Sequence, residues 1–273
     1  MYKRMNEQLQ KEGAMALVTG ASSGIGLAYA RELARRGYDL LLVSNEQEQI
    51  GTVAEELAAA LGVKTIPLCM DLARSEAARE LYEYCEREKL QIGILVNNAG
   101  IFFFDDLTEV APERIETMLL LHIRTVTLLC RYFGAAMKRR RAGYILNMSS
   151  LSAWTPAPGI SVYAASKSYI RKFSQMLRYE LHQYGVGVTT VCPGAIATGL
   201  YNLSDYYQRL ALRLGVMMKP ERLARKGLRA MFARRDYILP GAVNRFFVLA
   251  LYLLPVQLIY YIKEHTKLYR YGR

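Results

Sequence analysis

Six short runs of valine, leucine and isoleucine, separated by longer amphipathic stretches, leave this chain few folds to adopt. AMALVTG (14–20), YDLLLVS (38–44), VKTIPLCMDL (63–72), IGILVNNAG (92–100), GYILNMSS (143–150) and VGVTTVCPG (186–194) are largely continuous apolar runs rather than alternating ones. Strands of that kind are buried on both faces. Helical stretches lie between them: about Ile25 to Arg36, Glu46 to Leu61, Ser75 to Glu88, Pro112 to Arg140 and Val162 to His182. Strands alternating with helices of this length predict an α/β fold, a doubly wound parallel sheet with helices on both faces. No Pro/Gly/Ser-rich linker interrupts the chain before residue 200, so residues 1–240 read as a single domain.

The 52% hydrophobic and 22% charged residues argue against disorder over most of the length. Four cysteines stand without a CxxC pair, and His122, His182 and His265 are far apart. Neither a metal site nor a disulfide framework is expected, and a reducing compartment follows. The N-terminal MYKRMNEQLQKEG is polar and does not read as a secretory signal, so a cytoplasmic location is expected. The net charge of +12 is uneven: residues 205–273 hold 14 Lys and Arg against four acids. That end is either a solvated basic face or one that attracts a phospholipid surface, a carrier protein or a phosphate-bearing substrate. No nucleic-acid-reading motif accompanies it, so nucleic acid is not an expected partner.

Where the first strand gives way to the first helix stands Thr19-Gly20-Ala21-Ser22-Ser23-Gly24-Ile25-Gly26. Glycines there permit a tight turn and close backbone approach to a pyrophosphate, while the helix N-terminus offers unpaired N–H groups and positive dipole. The spacing is GxxxGxG, and further motifs follow in order. Asn97-Asn98-Ala99-Gly100 ends the fourth strand, and Ser150 ends the fifth, 13 residues before Tyr163. Tyr163-Ala164-Ala165-Ser166-Lys167 gives YxxxK, and Pro193-Gly194 with Thr198 gives PGxxxT. Residues 13–200 thus resemble the short-chain dehydrogenase/reductase family, which implies a Rossmann-like fold and a nicotinamide cofactor.

Tyr163 and Lys167 are four apart on one helix and share a face. A tyrosine phenol titrates near ~10, and an ammonium beside it favours the tyrosinate. The resemblance makes Tyr163 the proton donor and acceptor, Lys167 its partner and a contact of the nicotinamide ribose, and Ser150 the group that holds the substrate oxygen. It also implies cofactor contacts at Gly20, Ser22, Ser23, Gly24, Ile25, Gly26, Asn97, Asn98, Ala99, Gly100, Pro193, Gly194, Ile196 and Thr198. Asp71-Leu72 matches the family's adenine contact. One departure stands out. Where the family carries an asparagine that holds a relay water, LLLHIRTVTLLC (119–130) places His122, and a histidine relay with a shifted pH profile is expected.

NAD-preferring members place an acid at the end of the second strand, and NADP-preferring ones often an arginine at the next position. This chain has Ser44 and Asn45. Without the acid a 2′-phosphate is not repelled, and Ser22, Ser23, Ser44 and Asn45 offer it hydrogen bonds, so NADP(H) is expected over NAD(H).

Residues 199–236 carry Tyr201, Tyr206, Tyr207, Met217 and Met218 among arginines and read as a helical lid over a bulky apolar substrate. Residues 241–273 read as a basic, apolar helical extension in which Gln257 is the one polar residue between Arg245 and Lys263. With Pro255 inside it, this run suits peripheral contact with a membrane surface through 245–273, packing on its own domain, or packing on a second subunit; spanning is the least favoured fit. The expected substrate is a lipid-like ketone or alcohol: a 3-oxoacyl thioester, a 3-ketosphingoid base or a ketosteroid. The alternatives are a reductase of small polar carbonyls or sugars, and a dinucleotide-sensing regulator without turnover. Family members commonly pair through the two long helices, so a homo-oligomer is expected.

Overall fold

All six apolar runs form strands, each joined to the next by the predicted helix. The computed structural model describes residues 9, 13–155, 158–198, 209, 212, 213, 215, 217–252 and 255–265. In chain order it runs β1 (Met15–Thr19), α1 (Gly24–Ala34), β2 (Leu40–Ser44), α2 (Gln47–Leu61), β3 (Thr65–Cys69), α3 (Ala77–Arg87) and β4 (Ile92–Asn97). Then come α4 (Pro112–Leu119), a wider π-helical turn (Leu120–Thr125), α5 (Val126–Arg140), β5 (Gly143–Met148), α6 (Ser161–His182) and β6 (Val186–Val191). The strands pair parallel in the order β3-β2-β1-β4-β5-β6, so the winding reverses between β1 and β4. Ligands bind this architecture in the crevice at that reversal, beyond the strand C-termini.

Burial on both faces explains why the strands lack polar alternation. Ala16, Val18, Leu40, Leu42, Ile94 and Val96 point into one core layer with Tyr29 and Leu33 of α1 and Ile50 and Leu57 of α2. Their neighbours Leu17, Leu41, Val43 and Leu95 point into the other, with Leu81 of α3, Phe133 and Met137 of α5 and Leu181 of α6.

After β6 the structure departs from the sequence reading. β7 (Ala195–Ile196) pairs in parallel with β8 (Met217–Met218). Tyr201, Tyr206 and Tyr207 of the expected lid lie outside the described residues. Residues 217–232 of that stretch pack against the domain. Met217 is buried, and α7 (Pro220–Phe232) packs Leu223, Ala224, Leu228 and Met231 into the first core layer. β9 (Tyr237–Ile238) then adds a seventh parallel strand beside β6. The apolar face of α7 is what sends it to the core. α8 (Ala242–Tyr252) and α9 (Val256–His265) form the predicted helical extension.

α7 and α1 meet closely at Gly227, where an added Cβ would strike the Tyr29 hydroxyl and lie 3.0 Å from its ring carbon Cζ. That hydroxyl is buried and has no hydrogen-bond partner among the described residues. Gly227→Ala is expected to cost about 1–3 kcal/mol by overpacking. Tyr29→Phe, which removes an unsatisfied hydroxyl, is expected to gain about 1 kcal/mol. Combined, they should cost less than the sum of the two, because the colliding atom is gone. Denaturant unfolding of the four proteins measures this cycle.

Candidate active site

The crevice at the winding reversal is closed from below by hydrogen bonds between β1 and β4. Thr19 Oγ1 donates to the Val96 carbonyl at 3.3 Å and accepts from the N–H groups of Asn98 and Ala99, both at 3.0 Å. Asn98 Nδ2 donates to the carbonyls of Thr19 (3.0 Å) and Gly20 (3.2 Å). Gly20 (φ +64°) and Gly24 (φ +55°) turn the chain through left-handed backbone. A Cβ on Gly26 would collide with the Gly20 carbonyl, so the third glycine serves packing of the turn on the helix. Ser23 precedes α1 without a side-chain capping bond, leaving first-turn N–H groups for an anion. This cradle fits a dinucleotide pyrophosphate.

At the adenosine side Ser44 Oγ is buried, donates to Ser22 Oγ at 2.9 Å and accepts from the Glu46 N–H at 3.1 Å. Its hydroxyl is therefore committed within the protein, and Ser22, Ser23 and Asn45 stand nearer solvent. Asp71 is exposed, with its carboxylate accepting from the Ala73 N–H at 2.9 Å.

At the other side of the crevice, Ser150, Tyr163 and Lys167 line one cleft together with Ile25, Asn98, Gly100, His122, Pro193, Gly194, Ile196 and Thr198. Ser150 ends the loop after β5, where its Oγ accepts from the Ser152 N–H at 3.1 Å. Lys167 is 5% exposed; its Nζ donates to the Met148 carbonyl at 3.2 Å and lies 5.5 Å from the Tyr163 ring centroid. Burial is the largest cause and pushes its ammonium down to about 8, with the Cys192 sulfur acting in the opposite direction. A lysine with that value exchanges protons near neutral pH, which a surface lysine does not.

His122 sits on the π-helical turn and is fully buried. Its Nε2 lies 3.1 Å from the Ile101 N–H and accepts from it, so the ring proton is on Nδ1. Nδ1–H donates to Ser166 Oγ at 2.9 Å, and Ser166 Oγ donates to the Tyr163 carbonyl at 2.8 Å. Both ring nitrogens are thus engaged by the protein. Burial first, and the Lys167 charge second, hold the imidazole well below its usual range.

The side chains of two residues expected at the cofactor point away from the crevice. Asn97 is buried, and its Nδ2 donates to Asn147 Oδ1 at 2.8 Å inside the sheet, because side chains alternate along β4 and Asn98 takes the crevice side. Leu72 is buried in the second core layer, and its carbonyl accepts from Thr125 Oγ1 at 2.8 Å. The sequence reading missed other residues. Ile101, Met148 and Ser149 line the cleft, and Ser149 Oγ donates to the Lys167 carbonyl at 2.7 Å. Phe102 packs edge-on against Tyr163 with centroids 4.9 Å apart. The run Ile101-Phe102-Phe103-Phe104, directly after the Asn-Asn-Ala-Gly turn, was the available signal for an apolar wall there. Among the described residues no cluster suited to a metal ion occurs.

Comparison with known proteins agrees with this geometry. Residues 14–205 match a family model described as short chain dehydrogenase. The chain is 36% identical over 199 residues to a very-long-chain 3-oxoacyl-CoA reductase of Anas platyrhynchos, covering 70% of this chain and 62% of that protein. It is 32% identical over 206 residues to inactive hydroxysteroid dehydrogenase-like protein 1 of Homo sapiens, covering 74% and 61% respectively. It therefore spans about three fifths of the length of these curated relatives. A solved short-chain dehydrogenase from Sphingobium yanoikuyae, in complex with NADPH, shares 28% identity at a TM-score of 0.76, covering 93% of this chain and 96% of that one.

The state of His122 has a measurable consequence. In the unfolded chain an imidazole titrates near ~6.5, whereas the folded one titrates well below. Between those values the unfolded state binds the additional proton, so stability falls as pH drops below about 6.5, by up to about 1.4 kcal/mol per pH unit. His122→Asn lacks this term. It is expected to be less stable than wild type at pH 7 through loss of the two hydrogen bonds, with the gap narrowing by pH 5. Urea unfolding at pH 7, 6 and 5 measures it; a constant gap would place the imidazole's titration elsewhere.

Proposed function

Because the chain belongs to the short-chain dehydrogenase family, we propose that it is an NADP(H)-dependent oxidoreductase interconverting a bulky, lipid-like ketone and its secondary alcohol. The observation that carries this reading is the convergence of Ser150, Tyr163 and the buried Lys167 on one cleft beside the glycine turn. Gly20, Ser22, Ser23, Gly24 and Ile25 would hold the dinucleotide phosphates and adenosine side, with Asn98, Gly100, Lys167, Gly194, Ile196 and Thr198 toward the nicotinamide. When bound, the nicotinamide supplies or receives the hydride.

The protein's own part is proton transfer and orientation. Ser150 Oγ holds the substrate oxygen, the Tyr163 hydroxyl gives that oxygen a proton during reduction, and the Lys167 ammonium restores the tyrosine's proton. His122 acts as a positioning residue: its ring ties the turn at Ile101 to Ser166 and the Tyr163 carbonyl on α6. Ile101, Phe102 and Met148 make the substrate side apolar, which supports a lipid-like ketone over a sugar. The reductase relative named for very-long-chain 3-oxoacyl-CoA supports the same class. Exposed Leu119 on α4 and Met176 and Tyr179 on α6 support pairing of two copies through these helices.

The test is NADPH and NADH oxidation with a long-chain 3-oxoacyl thioester, a 3-ketosphingoid base, ketosteroids and a small sugar ketone. One apolar ketone should turn over, and Tyr163→Phe should lower its kcat about 10²- to 10⁴-fold. Turnover of the sugar alone would sink the lipid reading. Tight dinucleotide binding with no turnover at all would favour the regulator.

Two further outcomes are expected. With Lys167 at about 8, ketone reduction should hold below that pH and fall above it, while alcohol oxidation rises across the same window; pH profiles of kcat in both directions check this. Ser44→Asp puts a carboxylate at the end of β2, where it would repel a 2′-phosphate, and should lower the kcat/KM preference for NADPH over NADH by about tenfold or more.

A further inference from the structure

α8 and α9 present an apolar surface that the domain leaves uncovered. Val243, Phe246, Leu258, Tyr260 and Tyr261 are exposed, Phe246 by 74%. Elsewhere among the described residues, large apolar side chains are comparably exposed only at Leu107, Leu119, Met176, Tyr179 and Tyr237. Half of the exposed set therefore falls between residues 243 and 261. Apolar residues scattered singly need no explanation, but such a concentration marks an interaction surface.

Length and charge narrow the occupant. Helices of 11 and 10 residues reach about 16 and 15 Å, half of the ~30 Å hydrocarbon core of a bilayer. No helix among the described residues is long and apolar enough to cross a membrane. The same segment is cationic in sequence: residues 242–273 hold five Lys and Arg against one acid, and exposed Arg245 lies within α8. A second copy meeting this face would bring two such cationic ends together. An anionic lipid surface satisfies both features, with aliphatic side chains in the acyl boundary, tyrosines at headgroup level and Arg or Lys at the phosphates.

The start of α8 is also fixed against the active site. An added Cβ on Gly194, which lines the cleft, would lie 2.5 Å from Asn244 Oδ1 and 2.7 Å from its Nδ2, so the Asn244 amide rests directly on that glycine. Asn244 Nδ2 also donates to the Pro240 carbonyl at 2.6 Å. Two residues along a helix is more than half a turn, so Asn244 faces the domain while Phe246 faces away.

We infer that α8 and α9 form a platform that lies on an anionic phospholipid surface and holds the mouth of the Ser150–Tyr163 cleft beside it. A water-insoluble ketone would then pass from the bilayer into the cleft without crossing bulk water. That consequence rests on the proposed substrate class; the docking does not.

Vesicle flotation of the full chain tests the docking with no need for turnover. The protein should float with phosphatidylcholine vesicles holding about 30% phosphatidylserine, and binding should fall about tenfold on neutral vesicles or in high salt. Phe246→Glu and, separately, the pair Tyr260→Glu with Tyr261→Glu should each weaken binding about fivefold or more, with unchanged thermal unfolding. Absence of wild-type flotation on the anionic vesicles overturns the inference, as does equal binding by both variants. A wild-type dimer in sedimentation velocity that Phe246→Glu dissociates, without vesicle binding, makes a second copy the occupant and also overturns it. If flotation succeeds while no ketone turns over, the docking stands and the reductase reading fails.

Discussion

Everything at this site depends on the hydrogen-bonded clasp between Thr19 and Asn98, where adjacent parallel strands send their helices to opposite faces of the sheet. A doubly wound sheet must open a crevice at that point, and an open crevice exposes backbone polar groups. Thr19 Oγ1 satisfies two N–H groups of the β4 turn, and Asn98 Nδ2 satisfies two carbonyls of the β1 turn. Each turn thereby supplies the other's missing partners. The crevice keeps a fixed width, and α1 begins with its N–H groups directed at it.

On that frame the fold accepts an unfavourable burial at Lys167. A 5% exposed ammonium with Met148 as its carbonyl acceptor loses much of its hydration. The loss brings its proton into the range where a neighbouring hydroxyl can use it. Ser149 contributes by binding the Lys167 carbonyl, which fixes the second turn of α6 to the end of β5. The segment that leads from β5 to Ser150 and the helix that carries Tyr163 and Lys167 are therefore tied together, and these three side chains inherit their spacing from that tie.

How much of this the sequence discloses follows from which contacts are local. The six long strands are legible because burial on both faces makes them continuous apolar runs, whereas β9 has two residues, one of them exposed, and carries no such signature. Tyr163 and Lys167 are legible because one helical turn separates them. Asn97 and Asn98 are adjacent and alike, and only the register of β4 decides which one turns to the crevice. In α7 the stripe of Leu223, Leu228 and Met231 that packs it into the core is interrupted by charged residues and is legible only at helical spacing. The contact of Asn244 with Gly194 spans 50 residues and leaves no local pattern at all.

His122 shows how a departure from a family pattern can be absorbed without copying the original chemistry. An imidazole carries an acceptor and a donor on opposite sides of one rigid ring, so a single side chain can bridge two elements that approach it from different directions. Here those are the β4 turn at Ile101 and α6 at Ser166. The π-helical turn at Leu120–Thr125 lies at this point in the α4–α5 stretch, where such turns commonly mark functional sites. Protonation would turn the Nε2 acceptor into a donor facing the Ile101 N–H and add a charge beside Lys167, so the bridge holds only for a neutral ring. The ring also borders the cleft that Tyr163 and Lys167 line, so the same bridge fixes the wall of that cleft.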